Sequence, residues 1–275
     1  MSQEVLTELV KALERGDEVA LVTIVAAQGS TPQRVGAKMV VYPDGRTVGT
    51  IGGGCYENDA LGKAREALLS RKPKLVKYDL TDDFAQESGL ICGGQMTVYI
   101  EPVEPAPQLY IIGAGHVGHE LATAAKRVGF GIHVLDDREK FANRERFPEA
   151  DEIIVESIPD WLHKSEIPPS AYVVVVTRGH THDLDAMRAL AARDLRYVGL
   201  IGSRAKVKKI YDELVGEGMP IECLQRVHAP IGLDIGAITP AEIAVSILAE
   251  LIAIRHGRDV SAVSMKWQRG RKSAS

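Results

Sequence analysis

The residue types best suited to chemistry lie in a cysteine–glycine segment. Three consecutive glycines, Gly52, Gly53 and Gly54, lead into Cys55, and Glu57 follows two positions later. A helix is predicted to begin near Glu57, and a thiol at the start of a helix gains thiolate character. Thiolates are soft donors for metals and act in sulfur transfer. Because glycine has no side chain, the backbone N–H groups here are open to a large planar or anionic ligand.

A second segment repeats this chemistry in the same half of the chain. Cys92, Gly93 and Gly94 stand just before a predicted strand, and the chain has 3 cysteines in total. The third, Cys223, has apolar neighbours and is predicted to be structural. Two cysteines are too few for a zinc or iron–sulfur site built from cysteine alone. The alternative is that Cys55 and Cys92 are small buried hydrophobic residues beside tight turns.

A glycine fingerprint opens the second half of the chain. Gly113, Gly115 and Gly118 follow a predicted strand and begin a predicted helix, and Asp136 ends the next strand. This is the context in which such glycines bind a dinucleotide pyrophosphate at a helix N-terminus, with the acidic residue on the ribose. Asp136 favours NAD over NADP, although Arg138 weakens that preference. The alternative is a turn kept only for packing, since a fold does not determine its ligand.

Histidines follow another predicted strand of this half. His180, His182 and Asp183 come after a run of valines, at the strand end where ligands bind in parallel sheets. Imidazole there could bind a metal or move protons. One hypothesis is therefore an NAD-dependent oxidoreductase with His180 or His182 as acid and base, and another is a metal-dependent hydrolase. The alternative is that these histidines hydrogen-bond within a loop, because their spacing fits no standard zinc motif.

The predicted secondary structure differs between the two halves of the chain. Apolar residues at helical spacing predict a helix over 3–15. Short apolar strands follow, two of them joined by a hairpin at Asp44 and Gly45, and a helix is predicted from about Glu57 to Ser70. These elements predict an α+β domain with a mixed or antiparallel sheet.

Strands and helices then alternate, which predicts a parallel sheet with helices on both faces. The last helix is predicted over 240–255, with Thr239 as its N-cap. We therefore predict an α/β protein with a smaller N-terminal α+β domain at 1–102 and a proline-rich linker at 103–108. A Rossmann-like, doubly wound domain is expected at 109–275.

Composition restricts the setting. The chain has 275 residues with a net charge of −4 and a sequence pI near 6.1, so no broad basic surface for nucleic acid is expected. No apolar run approaches the roughly 18 residues that span a membrane, and the N-terminus lacks the features of a secretory signal. The cytoplasm, where thiols stay reduced, is the expected location.

Several segments together resemble one known family, the XdhC/CoxI family, in the family's order and over nearly the whole length. They are GSTPQRVGAKMVV, GTIGGGCYE, CGGQMTVYIEP, LYIIGAGHVG, VLDDRE, VVVTRGHTHDLDA, YVGLIGSRAKV and PIGLDIGAITPAEIAVSILAELI. Members of this family are accessory proteins of molybdenum hydroxylases such as xanthine dehydrogenase. The resemblance implies binding of molybdenum cofactor (molybdopterin), its protection during sulfuration, and its delivery to the apo-hydroxylase.

The resemblance also implies site residues and partners. By position, the family's first cysteine motif falls on Cys55 with Glu57, and its second on Cys92. A cysteine desulfurase and the apo molybdenum hydroxylase are the implied partners, and a homodimer is expected. The pterin phosphate is expected at backbone N–H groups and at Arg34 or Lys38. NAD or another nucleotide is the candidate ligand of the glycine fingerprint.

Overall fold

The structure is a computed structural model and describes residues 2–80 and 93–266. The chain divides into two compact units, Met1–Ala106 and Pro107–Ser275. None of the helices in the described part of the chain combines the length and apolar character that a membrane crossing requires.

The first unit is built on an antiparallel sheet of five strands in the order β3-β2-β1-β5-β4. The predicted hairpin at Asp44 and Gly45 joins β2 to β3. The elements of this unit are α1 (Ser2–Glu14), β1 (Val19–Gln28), β2 (Lys38–Val41), β3 (Thr47–Gly49), α2 (Gly54–Ser70), β4 (Lys74–Asp79) and β5 (Gln95–Val103).

Side chains that alternate along β1 supply two hydrophobic layers. Val19 lies in the layer that also holds Val5 and Ala12 of α1. Ala20 and Val22 point the other way, into the layer that holds the small residues of α2. Because successive strand residues face opposite sides of a sheet, the continuous apolar run buries both faces. The first unit therefore has a helix on each side of its sheet.

Helix α2 begins earlier than the sequence predicts. Its first residue is Gly54 rather than Glu57, and its N-cap is Gly53. Glycine is a poor helix former, so the pattern indicated a later start. The structural consequence is that Cys55 lies inside the first turn of the helix instead of in the loop before it.

The second unit is built on a parallel sheet of five strands in the order β10-β9-β6-β7-β8. The chain starts in the middle, moves outward through β7 and β8, and returns to β9 on the other side of β6. Its elements are β6 (Gln108–Ile112), α3 (His116–Arg127), β7 (Gly131–Asp136), β8 (Glu152–Val155), α4 (Ile158–Lys164), β9 (Tyr172–Val175), α5 (Gly179–Leu190), β10 (Tyr197–Leu200), α6 (Arg204–Gly216), α7 (Ile221–Arg226) and α8 (Pro240–Arg255).

Both faces of the parallel sheet are covered. One core contains Leu121 of α3 and Leu251 of α8, and the other contains Met187 of α5 and Ile210 of α6. The reversal of strand order between β6 and β9 creates the crevice at which doubly wound sheets bind ligands. The predicted Rossmann-like fold is confirmed.

Helix α8 has the start and end that the sequence predicts. The Thr239 side chain accepts from the Glu242 N–H, and the Glu242 carboxylate accepts from the Thr239 N–H at 2.8 Å. This reciprocal pair is a capping box, which fixes where a helix begins. Later on the same helix, Glu250 is fully buried and accepts hydrogen bonds from Tyr197 and the backbone of Gly232.

Candidate functional site

The glycine loop before α2 has a backbone that only glycine adopts readily. Gly52, Gly53 and Gly54 have φ angles of 133°, 76° and 71°. L-residues with side chains are strained in this region, so the sequence Gly-Gly-Gly is required by the chain path. An added Cβ at Gly53 would meet no atom within 4 Å among the described residues, so the space over this residue is open.

Glu57 holds the glycine loop in place. Its Oε2 accepts from the Thr50 hydroxyl at 2.5 Å, the Ile51 N–H at 2.9 Å and the Gly53 N–H at 3.0 Å. Thr50 also accepts from the Gly52 N–H at 3.0 Å. One carboxylate oxygen therefore engages donors from three residues of the loop.

These hydrogen bonds keep Glu57 ionised. Partial burial alone would raise its pKa, but the bonds from Thr50 and from the backbone of Gly53 and Ile51 outweigh burial and lower the pKa of Glu57. The N–H groups of Ile51, Gly52 and Gly53 are thus already used within the loop. The N–H groups that remain for a ligand are those at the first positions of α2, which find no acceptor within a helix.

Cys55 is the second residue of α2. Its thiol is free, its side chain is half-buried, and it packs at the edge of the core that contains Ala60 and Ala64. The structure thus combines both interpretations of the sequence, since Cys55 contacts the core and also sits in the first helical turn beside open glycine backbone. The predicted role of Cys55 toward a metal stays a prediction.

Cys92 lies outside the described residues, but the two glycines after it are described. An added Cβ at Gly94 would overlap the carbonyl oxygens of Gln28 and Ser30, so this segment lies directly against the end of β1. The Gly94 carbonyl accepts a hydrogen bond from the Leu80 N–H at 2.8 Å. Gly93 differs, because an added Cβ there would meet nothing described within 4 Å.

The loop at 29–36 brings the two glycine segments together, and its role was not predicted. Ser30 contacts Gly94, as described above, and Pro32 contacts Gly52, where an added Cβ would lie 2.6 Å from the proline Cβ. One loop therefore touches both the segment that carries Cys55 and the glycines that follow Cys92. The sequence predicted a loop here and named Arg34 as a candidate for the phosphate, but it did not predict these contacts, because close approach between distant backbones leaves no local pattern.

A groove lies beside this loop. Its volume is about 290 Å³, and it is lined by Gln33, Arg34, Val35, Gly36, Ala37, Lys38 and Thr50. Thr50 is also the residue whose hydroxyl binds Glu57. The groove is therefore continuous with the start of the glycine loop.

Tyr56 attaches the first turn of α2 to the end of β4. Its hydroxyl donates to the Asp79 carbonyl at 3.0 Å, and its ring meets that of Tyr78 edge-on at 5.3 Å. Tyr78 in turn donates to Asp59 at 2.7 Å, and burial raises the pKa of this phenol. The turn that carries Cys55 is consequently fixed to the end of β4.

In the second unit, packing explains two of the three fingerprint glycines. A Cβ at Gly113, whose φ is 114°, would overlap the Val176 carbonyl, and one at Gly118 would overlap the Gly113 carbonyl. At Gly115, the N-cap of α3, a Cβ would meet nothing described within 4 Å. Packing against described residues therefore does not account for glycine at position 115, and a ligand at this position stays a prediction.

Asp136 is buried and already engaged. Its Oδ2 accepts from the Ala114 N–H at 2.8 Å, and its Oδ1 accepts from the Arg138 Nε at 2.8 Å. Burial opposes its ionisation, but the Arg138 and Ala114 hydrogen bonds outweigh burial and lower the pKa of Asp136. The carboxylate that would receive ribose hydroxyls therefore has other partners in this structure, and NAD binding stays a prediction without structural support.

The histidines lie at the carboxyl end of β9, as predicted, but on helix α5. His180 Nε2 is 3.0 Å from a Glu213 oxygen. Asp183 is fully buried and contacts Thr177 at 2.6 Å and the Lys206 amine; burial raises its pKa despite these partners. Within residues 2–80 and 93–266, no three His, Cys, Asp or Glu side chains group as metal ligands. A metal role for His180 and His182 stays a prediction.

The fold and site together define a two-unit protein with a glycine–cysteine antiparallel unit and a Rossmann-type unit. Residues 12–79 match the model of the XdhC and CoxI family, and residues 109–251 match that of the XdhC Rossmann domain. The chain belongs to the XdhC and CoxI family.

Three curated relatives are similar over most of this chain. The uncharacterized protein YqeB of Escherichia coli K12 is 37% identical over 92% of the chain, which spans 46% of that relative. A probable subunit of xanthine dehydrogenase from Bacillus subtilis 168 is 27% identical, with 90% of this chain and 97% of the relative covered. The molybdenum cofactor insertion chaperone PaoD of Escherichia coli K12 is 24% identical, with 91% and 88% covered.

A solved structure supports the same family. The crystal structure described as a xanthine dehydrogenase from Bacillus halodurans is 27% identical, with a TM-score of 0.52. The match covers 93% of this chain and 97% of that one.

Proposed function

We propose that this chain binds molybdenum cofactor as cargo and delivers it to a molybdenum hydroxylase of the xanthine dehydrogenase type. Two relatives support this direction by their names, one as a molybdenum cofactor insertion chaperone and the other as a probable xanthine dehydrogenase subunit. The observation that carries the proposal is the convergence of three glycine-bearing segments, 29–36, 50–55 and 93–94, beside the half-buried thiol of Cys55.

The chemistry of the cargo suits this site. Molybdenum cofactor is a pyranopterin whose pyran ring carries both the sulfurs that bind molybdenum and the phosphate ester, and whose pterin ring lies at the other end. A planar ring can approach backbone only where side chains are absent, and Gly53 and Gly93 have open space above them. The N–H groups of Gly54 and Cys55, at the positive end of α2, favour an anionic ligand.

Cys55 is the residue that we assign to the sulfur and molybdenum end of the cargo. A thiolate is a soft ligand and exchanges readily with sulfur-bearing groups. Its position in the first helical turn, fixed through Tyr56 and Glu57, keeps the thiol beside the open glycine backbone. Protection of the cofactor during sulfuration, with a cysteine desulfurase as the sulfur source, and a homodimer belong to the same proposal.

The test is transfer of cofactor to an apo-hydroxylase by matched cysteine variants. Cys55→Ala is compared with Cys223→Ala, because both thiols are free and half-buried and Cys223 lies on α7 in the other unit. We expect Cys55→Ala to lower cofactor affinity about tenfold, equivalent to about 1.4 kcal/mol, and to reduce activation of the hydroxylase in proportion. Cys223→Ala should behave as the unsubstituted protein. Equal affinity and activation by Cys55→Ala would remove the thiol from the proposal.

A further inference from the structure

We propose that the groove lined by Arg34, Lys38 and Thr50 is the subsite for the phosphate ester of the cargo. The inference rests on the proposed function for the identity of the ligand, but the groove is defined by its own residues. It is an open space of about 290 Å³. Since one water accounts for about 30 Å³ of liquid, a phosphate group and the atoms next to it have room here.

The two cations of the groove have no acidic partner among the described residues. Arg34 is exposed, and Lys38 donates only to the neutral Thr23 hydroxyl, at 3.1 Å. In the same unit, Arg15 and Arg71 each lie within 4 Å of carboxylates. Within residues 2–80 and 93–266, Arg34 and Lys38 are therefore not neutralised by a carboxylate, and guanidinium and ammonium groups both bind phosphate.

The backbone that carries Arg34 is held rigidly. The Ala37 N–H donates to the Arg34 carbonyl at 3.1 Å, which closes a tight turn around Gly36, whose φ is 91°. Ile24 fixes this turn from β1, because it accepts from the Gly36 N–H at 2.8 Å and donates to the Ala37 carbonyl at 3.0 Å. A turn that is closed by its own hydrogen bond and attached to β1 through Gly36 and Ala37 is ordered before a ligand arrives, which lowers the entropic cost of binding.

The groove leads directly to the glycine loop. Thr50 lines the groove and begins the segment that ends at Cys55. The Glu57 carboxylate lies at this junction, and its Oε2 accepts hydrogen bonds from Thr50, Ile51 and Gly53, which offset its charge. A ligand with its phosphate between Arg34 and Lys38 would therefore lie beside the glycine loop that leads to Cys55.

The experiment compares two fluorescent oxidised pterins, one with a phosphomonoester and one without it, on the full chain. Unsubstituted protein should bind the phosphorylated pterin at least about tenfold more tightly, since a charge-assisted hydrogen bond contributes about 1.5–3 kcal/mol. Arg34→Gln and Lys38→Gln should each remove most of that preference and leave affinity for the dephosphorylated pterin unchanged. Lys72→Gln makes the same charge change at an exposed position beyond the far end of α2 and should have no effect.

Failure of the inference differs from failure of the proposed function. If both pterins bind equally, or if the preference survives in Arg34→Gln and Lys38→Gln, the phosphate subsite is wrong while cofactor binding stands. If neither pterin binds, inorganic phosphate is titrated as the second probe. Its binding is detected by changes in the amide chemical shifts of residues 33–38. Salt-sensitive shifts that disappear in the doubly substituted protein support an anion site in the groove, and an absence of shifts overturns it.

Discussion

Glycine has two different roles at neighbouring positions of the site, and the distinction decides what each residue can do. Gly94 is glycine because the backbone of Gln28 and Ser30 occupies the space of a side chain. Gly93 has no such neighbour among the described residues. The same contrast separates Gly113 from Gly115 in the other unit. A glycine that packing does not explain is a candidate for direct approach by a ligand.

Substitution of this neighbouring pair tests the contrast. We expect Gly94→Ala to destabilise the protein by about 2 kcal/mol or more, because overpacking against backbone typically costs about 1–3 kcal/mol. Gly93→Ala should change the free energy of unfolding by less than about 0.5 kcal/mol, as for open surface positions, but should weaken cofactor binding. Urea denaturation and cofactor titration measure the two effects. Equal stability of the two variants would contradict the packing at Gly94.

At the scale of elements, carboxylates as well as hydrophobic contacts hold elements in each of the two units. Glu57 of α2 fixes the glycine loop, and Glu250 of α8 is a buried acceptor for Tyr197, Gly232 and Ser264. Burial opposes the ionisation of Glu250, but hydrogen bonds from His228, Ser264 and Tyr197 outweigh it and lower its pKa to about 2. The ionised Glu250 carboxylate therefore attaches helix α8 to Gly232 and Ser264, and protonation of this carboxylate at low pH removes its charge.

The depressed pKa of Glu250 predicts acid sensitivity of the second unit. Its stabilising contribution is present above the unfolded value of about 4.3 and is lost as the pH falls toward about 2. We expect Glu250→Gln to lower stability at neutral pH by about 1–3 kcal/mol, the cost of a poorly satisfied buried group, and to flatten the acid limb of the stability curve.

Glu166→Gln is the control for this effect, because it makes the same change at an exposed position of the second unit. This variant should retain the acid dependence of the unsubstituted protein. Stability measured by denaturation between pH 2 and 7 compares the three proteins. If Glu250→Gln showed an unchanged acid limb, another carboxylate would have to account for it.

Sequence reasoning was most successful where one local pattern determines one element. The N-cap residue Thr239 predicted the start of α8, and the alternation of strands and helices predicted the Rossmann-type sheet. It was least successful where two distant backbones meet. Arg34 was expected near the phosphate, but the contacts of Ser30 with Gly94 and of Pro32 with Gly52 join residues far apart in sequence, so no spacing indicated that the 29–36 loop touches both glycine segments.

Partners within the site were also hidden from the sequence. Glu57 was expected as a residue of the motif, but its three hydrogen bonds to the glycine loop follow from the positive φ angles of Gly52 and Gly53. The earlier start of α2, at Gly54, likewise depends on the backbone conformation of these glycines. Asp136 was expected to face a ribose, and its engagement by Arg138 depends on the conformation after β7.

At the scale of the molecule, each unit has its own hydrophobic cores. Those of the second unit consist entirely of residues from 109 onward, on both faces of the parallel sheet. Those of the first unit lie between its antiparallel sheet and helices α1 and α2. A unit with complete cores of its own can in principle fold alone.

This arrangement predicts that residues 107–275 fold as a separate protein. We expect the fragment to show helical and strand content by circular dichroism and one cooperative unfolding transition, with the same acid limb as the second unit in the full chain. A fragment that unfolds without cooperativity would contradict the division of the chain into self-sufficient units.

The central claim is that this chain carries molybdenum cofactor, and native mass spectrometry of the full-length protein tests it most directly. The protein is expressed in cells with an intact molybdenum cofactor pathway and, in parallel, in cells that cannot make the pterin. We expect a mass increment equal to the cofactor in the first preparation, none in the second, and a smaller cofactor-bound fraction in Gly93→Ala and Cys55→Ala. A protein that shows no pterin increment from pathway-competent cells, and gains none when the cofactor is added, would contradict it.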